Sequence, residues 1–211
     1  LGIYAEDPLQ IIAIWSGGIG LWGGILGGFV GGAGYAALSK LPVGILADLT
    51  APAMLFAQSI GRLGDIVNGE HCAKATTQFF GFFWTDIGSA ARYCANSLGQ
   101  PVQPVIGIEI IWNLLSLVLI WNLRNRVRPA GMLFSMYLAI YALGRFLITF
   151  LREDRIWFAG LQEAHLIALT VLIITVPLLG FKARFGNPED VKAEFISAAP
   201  RASRAVRRRG R

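Results

Sequence analysis

The sequence predicts an all-α fold, a polytopic transmembrane helical bundle of about five spans, and three observations carry that expectation. Of the 211 residues 55% are hydrophobic and 15% charged, with a mean hydropathy of +0.55; a soluble domain carries about a quarter charged residues. The apolar residues gather into five stretches of spanning length. The formal net charge of +6 is concentrated, because residues 182–211 hold nine Lys/Arg against three Asp/Glu while residues 1–181 hold ten of each. A nucleic-acid-binding domain spreads its Lys/Arg over a folded face, so no nucleic-acid partner is expected. A polybasic segment beside an anionic membrane leaflet is.

A spanning helix needs roughly 20 apolar residues. The stretches at about 10–38, 44–61, 104–122, 130–150 and 164–181 qualify. The first is a glycine ladder in which ten residues from Gly17 to Gly34 are glycine, with Gly20, Gly24, Gly28 and Gly32 on one face. Small residues at that spacing let helices approach closely in lipid; equally, Gly23 and Gly24 leave room for a lipid headgroup against the backbone. Lys40, then Arg124, Arg126 and Arg128, then the tail fall on one side if the helices alternate. By the positive-inside rule that side is cytoplasmic, which puts the 62–103 and 151–163 connections outside. Residues 1–181 are thus expected to form one membrane domain, and residues 182–211 a basic, cytoplasmic, disordered tail. Residues 1–9 lack the regions of a signal peptide, and the sequence is expected to be incomplete at its N-terminus. Two cysteines, Cys72 and Cys94, are too few for a disulfide scaffold or a metal site. If they pair in an oxidising compartment, they clip the outer connection.

Ionisable residues at membrane depth are costly enough to be functional candidates. Arg62 closes the second span in a run that holds Asp65, Asn68, Glu70 and His71 within ten residues. The plain alternative is a solvated loop with an Arg62–Asp65 ion pair. In the fourth span Arg145, Thr149 and Arg152 repeat at i, i+4 and i+7 on one face. Two guanidinium groups on one face make a fork for phosphate, against the alternative of snorkelling to the headgroups. Glu109, Asn113 and Ser116 line one face of the third span, and Arg62 or Arg145 is the expected partner of Glu109. Asp48 lies far from Arg62 along the same helix and suits a structural pair or a helix N-terminus. Outward-facing arginines and a lipid environment point to a phosphate-bearing amphiphile, with no metal or cofactor implied.

The run from Gly61 to Glu70 resembles the G-R-x-G-N-F-x-N-x-E signature of the prolipoprotein diacylglyceryl transferases. Trp15-Ser16-Gly17-Gly18 with Trp22-Gly23-Gly24 through Gly28 is similar to that family's W-E-G-G and H/Y-G-G-L-x-G-G segments. Asp48-Leu49-Thr50-Ala51-Pro52, Gln103-Pro104 to Glu109, and Gly144-Arg145-Phe146 to Asp154 resemble three further family stretches. The motifs run in order over residues 10 to about 175. The resemblance implies a seven-span fold whose first two spans are absent from these residues. It also implies a bacterial inner-membrane enzyme that moves the sn-1,2-diacylglyceryl group of phosphatidylglycerol onto the lipobox cysteine of a prolipoprotein signal peptide. By the same resemblance Arg62 and Arg145 are essential and hold phosphate, Glu70 is the signature glutamate, and Asn68 shapes the loop or binds the headgroup. His71, next to Glu70, is a candidate base or an exposed loop histidine.

This sequence departs from the family pattern at Trp22 (His or Tyr), Asp65 (Asn), Ile108 (Tyr) and Thr149 (Glu). Trp22, Asp65 and Thr149 favour a second reading, a catalytically degenerate relative that binds phospholipid. A transporter is disfavoured, since no inverted repeat or pair of broken mid-membrane helices is evident.

Overall fold

The computed structural model describes residues 21–69, 72–94 and 98–198. They fall into two compact units, one up to Val43 and one from Gly44 on. In the first, helix α1 (Leu21–Leu38) carries the C-terminal part of the glycine-rich stretch; the residues before it lie outside the described ones. The helix ends in a Schellman motif, with Lys40 at φ +56° and Leu41 N–H donating to the Ala36 carbonyl.

The second unit contains helices α2 (Val43–Asn68), α3 (Val105–Leu123), α4 (Met132–Thr149) and α5 (Glu163–Lys182). These four are, among the described residues, long and apolar enough to cross a membrane. This is a multi-pass helical membrane protein. Its apolar residues are not confined to the interior: Ile111, Leu115 and Val118 of α3 and Ile173 and Ile174 of α5 stand exposed. A helix that is apolar all round needs lipid or protein on every side.

The connections collect at two ends. At one end, Ala73 pairs with Arg152 and Ala75 with Val102. Beside them lie two short ribbons, β1 (Phe82–Phe83) with β2 (Pro101–Val102), and β4 (Ile156–Phe158) with β5 (Leu161–Gln162). At the other end, β3 (Val127–Arg128) pairs with β6 (Arg184–Phe185). The arginine-rich connection and the start of the tail therefore share a side, as alternation of the spans requires.

Two expectations need correction. The second span does not stop at Gly61, because α2 runs on to Asn68, and the connection is shorter than 62–103. Arg62 is thus a helical residue whose Nη1 reaches Asp65 Oδ2 at 2.7 Å, one turn on. The start of the tail is not disordered: α6 (Pro188–Ala198) follows β6. Glu194 of α6 accepts from Arg128 Nε at 3.1 Å and from Ala130 N–H at 2.9 Å, and Val191 is buried. The acidic residues of 188–194 find the arginine of another connection, a pairing that tail composition does not reveal. Residues 199–211 lie outside the described ones.

Two apolar clusters bracket the bundle. One holds Leu55, Ile120, Met132, Leu133 and Tyr137; the other, at the opposite end, holds Ala73, Val102, Val105 and Ile148. Asp48 belongs to the first end, where its carboxylate accepts from Gly131 N–H at 2.7 Å and Phe134 N–H at 2.8 Å. It thereby caps the N-terminus of α4, satisfying donors that have no partner within that helix.

Candidate functional site

Between the two apolar clusters each of three helices contributes polar residues: Arg62 from α2, Glu109 and Asn113 from α3, Tyr141 and Arg145 from α4. Glu109 and Arg145 each lie about one helical turn, ~5.4 Å, inside the end of their helix. A carboxylate at that depth needs a counter-charge, and Glu109 has two. Arg62 Nε lies 2.7 Å from its Oε2, and Arg145 Nη1 donates to its Oε1. With Asp65 on the far side of Arg62, two cations and two anions form one row, Asp65–Arg62–Glu109–Arg145.

The row opens on a narrow cleft of about 10 Å³, room for about one water, that is also lined by Trp112, Asn113, Tyr141, Gly144 and Ile148. Gly144 is required by close approach, since a Cβ there would come 2.1 Å from Trp112 Nε1. The Trp112 indole N–H donates to the Ile140 carbonyl at 3.1 Å, so the ring is fixed against the helix that carries Arg145. Among the described residues Arg145 donates only through Nη1. Its Nε and Nη2 make no hydrogen bond to another described residue. Below the row, between α2 and α3, runs an apolar groove of about 560 Å³ lined by Leu49, Pro52, Phe56, Leu117, Val118 and Trp121.

The other sequence candidates lie elsewhere or beyond description. Arg152 is turned to Asp154, with Nε–Oδ2 at 2.7 Å and Nη2–Oδ1 at 3.2 Å, and is buried. It holds the C-terminal end of α4 and does not extend the fork of Arg145, because the helix ends at Thr149 and the i+7 alignment ends with it. Thr149 Oγ1 donates to the Arg145 carbonyl. Asn68 is the last residue of α2, and Gly23 and Gly24 lie in the first turn of α1. Glu70 and His71 fall outside the described residues, as do residues 15–18. Sequence reasoning passed over Tyr141 and Trp112. Tyr141 precedes Arg145 by four residues and so shares its face, a signal present but unused; Trp112 carried none, since an indole in an apolar span looks like packing.

The family model for prolipoprotein diacylglyceryl transferase matches residues 1–181. The chain belongs to the prolipoprotein diacylglyceryl transferase family. It is similar to the phosphatidylglycerol–prolipoprotein diacylglyceryl transferases of Staphylococcus aureus strains Newman, USA300 and JH9. The identity is 31% over 187 residues, which cover 88% of this chain and 66% of each relative. The chain thus spans a little under two thirds of the length of these relatives. Arg62, Asp65, Asn68, Glu109 and Arg145 all fall within the stretch that the transferase family model matches.

Proposed function

We propose that this protein transfers the sn-1,2-diacylglyceryl group of phosphatidylglycerol to the lipobox cysteine thiol of bacterial prolipoproteins. The observation that supports this most directly is the charged row Asp65–Arg62–Glu109–Arg145 beside a cleft, at the end of three spans, in a chain of this family. The reaction needs a thiolate, stabilisation of a phosphate leaving group and an apolar berth for acyl chains. The sulfur attacks the glycerol carbon that bears the phosphate. A C–S bond forms, the C–O bond breaks, and glycerol phosphate leaves with the electron pair.

Arg145 suits the phosphate through its Nε and Nη2 edge, a planar donor pair matched to two phosphate oxygens. Arg62, engaged by Glu109 and Asp65, contributes charge and fixes Glu109. The row is charge-balanced, so the incoming phosphodiester supplies the anion that Arg145 shares with Glu109. The groove between α2 and α3 suits an acyl chain. Glu70 takes the thiol proton, with His71 beside it, while Asn68, Gly23 and Gly24 serve the headgroup. The reading sets the protein in the bacterial plasma membrane, with the 69–104 connection outside and the C-terminus in the cytoplasm. A disulfide between Cys72 and Cys94 supports that orientation, because such bonds persist in oxidising compartments.

The test is reconstitution with phosphatidylglycerol and a lipobox peptide. A diacylglyceryl thioether on the peptide by mass spectrometry is expected. Lipid retention without any adduct would favour the degenerate phospholipid-binding relative.

A further inference from the structure

The Cys72–Cys94 bond closes a separation of 22 residues and acts on a much smaller segment than the loop it spans. Cys94 ends a 3-10 helix, Ala90–Tyr93, whose N-cap Ser89 accepts from Ala91 N–H through Oγ at 3.1 Å. That same hydroxyl lies against the end of α2, 3.4 Å from the Asn68 carbonyl and 3.5 Å from the Gly69 carbonyl. Gly69 has φ +64°, and a Cβ on it would come 1.9 Å from Ser89 Oγ. On the other side, Cys72 is tied to the outer end of α4: its carbonyl accepts from Glu153 N–H at 3.1 Å, and Lys74 N–H donates to Leu151 at 3.0 Å. Only Glu70 and His71 stand between the two pinned residues, Gly69 and Cys72, and both pins meet the one short segment Ser89–Cys94.

We propose that the disulfide is a positioning device for the transfer reaction, a clasp that holds the backbone on either side of Glu70 and His71 in register with the ends of α2 and α4. It rests on the reading above, in which Glu70 receives the thiol proton. Phosphate capture by Arg145 does not depend on the clasp, because Arg62, Glu109 and Arg145 are fixed by helices; proton transfer does. Reduction by a dithiol breaks the S–S bond, moves two electrons and two protons to the cysteines, and leaves two thiols and the cyclised, oxidised reductant.

The experiment uses the full chain in phosphatidylglycerol vesicles with a lipobox peptide, oxidised and after dithiothreitol, with hydrogen exchange followed in parallel. Reduction is expected to raise amide exchange in 69–74, leave α2 and α4 protected, and cut the rate at saturating lipid by roughly 10–100-fold, the cost of a small misplacement of a reacting group. The lipid KM should hold. The Cys72→Ser/Cys94→Ser variant should match the reduced protein and ignore dithiothreitol. Unchanged exchange in 69–74 would overturn the clasp whether or not the protein is a transferase. Raised exchange with a parental rate would overturn its role in the reaction. Responsive exchange with no adduct in either state would remove the catalytic reading and the clasp's purpose with it.

Discussion

Removing the Arg62 side chain would leave Asp65 without its partner one turn away and Glu109 with Arg145 alone. Removing Arg145 would still leave Glu109 paired with Arg62. The two alanine variants should therefore separate. Arg145→Ala is expected to lower transfer by about 10²–10³, the usual cost of losing a donor aimed at developing charge, with little change in thermal midpoint. Arg62→Ala should lose a similar factor and also lower the thermal midpoint, because Asp65 and Glu109 each lose a 2.7 Å ion pair. Adding Asp65→Asn to Arg62→Ala should restore much of the midpoint and none of the rate, measured by thermal unfolding in detergent beside the adduct assay. Equal midpoints for the two single variants would show that the row does not divide its work this way. Gly144→Ala tests the wall of the cleft: its methyl meets the Trp112 indole, and overpacking of this kind costs typically 1–3 kcal/mol. Pairing it with Trp112→Leu should recover part of the loss.

At the level of elements, α6 and the β4–β5 ribbon carry separate expectations. Truncation after Ala198 should be silent, whereas truncation after Gly186 removes both Glu194 contacts to the Arg128–Ala130 turn and should lower the thermal midpoint while leaving the transfer rate nearly intact. A rate loss equal to that of Arg145→Ala would give the tail a role in the reaction. The β4–β5 ribbon joins two spans, separated from α4 by residues 150–155 and running directly into α5. Ile156, Trp157 and Phe158 are all exposed on it, Trp157 at 64%. Aromatic residues this close to span ends settle at the headgroup level. The fluorescence lost in Trp157→Phe should be quenched by lipids labelled near the headgroup more than by lipids labelled deep in the chain. Quenching by aqueous acrylamide alone would place the ribbon in water.

For the molecule as a whole, the orientation expected from charge is open to a direct test. Residues Thr85 and Lys192 are exposed and lie at opposite ends of the four spans. A cysteine at position 85 should be labelled by an impermeant reagent from outside the cell and one at 192 only after permeabilisation; the reverse would invert the topology. The expected orientation is readable from local sequence, because the positive-inside rule counts Lys/Arg connection by connection, and the labelling is what tests it. The spans were legible for the same reason: partition into lipid depends on the local run of side chains, and the described stretches at 43–68, 105–123, 132–149 and 163–182 are apolar on their own account. The family, too, was written in the order of short motifs. What tertiary structure alone decided are pairings between residues far apart in the chain. Glu109 had two candidate partners in the sequence and takes both; Arg152 had the spacing to join Arg145 and goes instead to Asp154, because the helix stops at Thr149. Cys72 and Cys94 become a clasp because Ser89 folds onto Gly69, and the acidic start of the tail becomes a helix because Arg128 is within reach of Glu194. A side chain's solvent is set by its neighbours in sequence, but its partner is set by which distant backbone arrives beside it, and only the packed bundle fixes that.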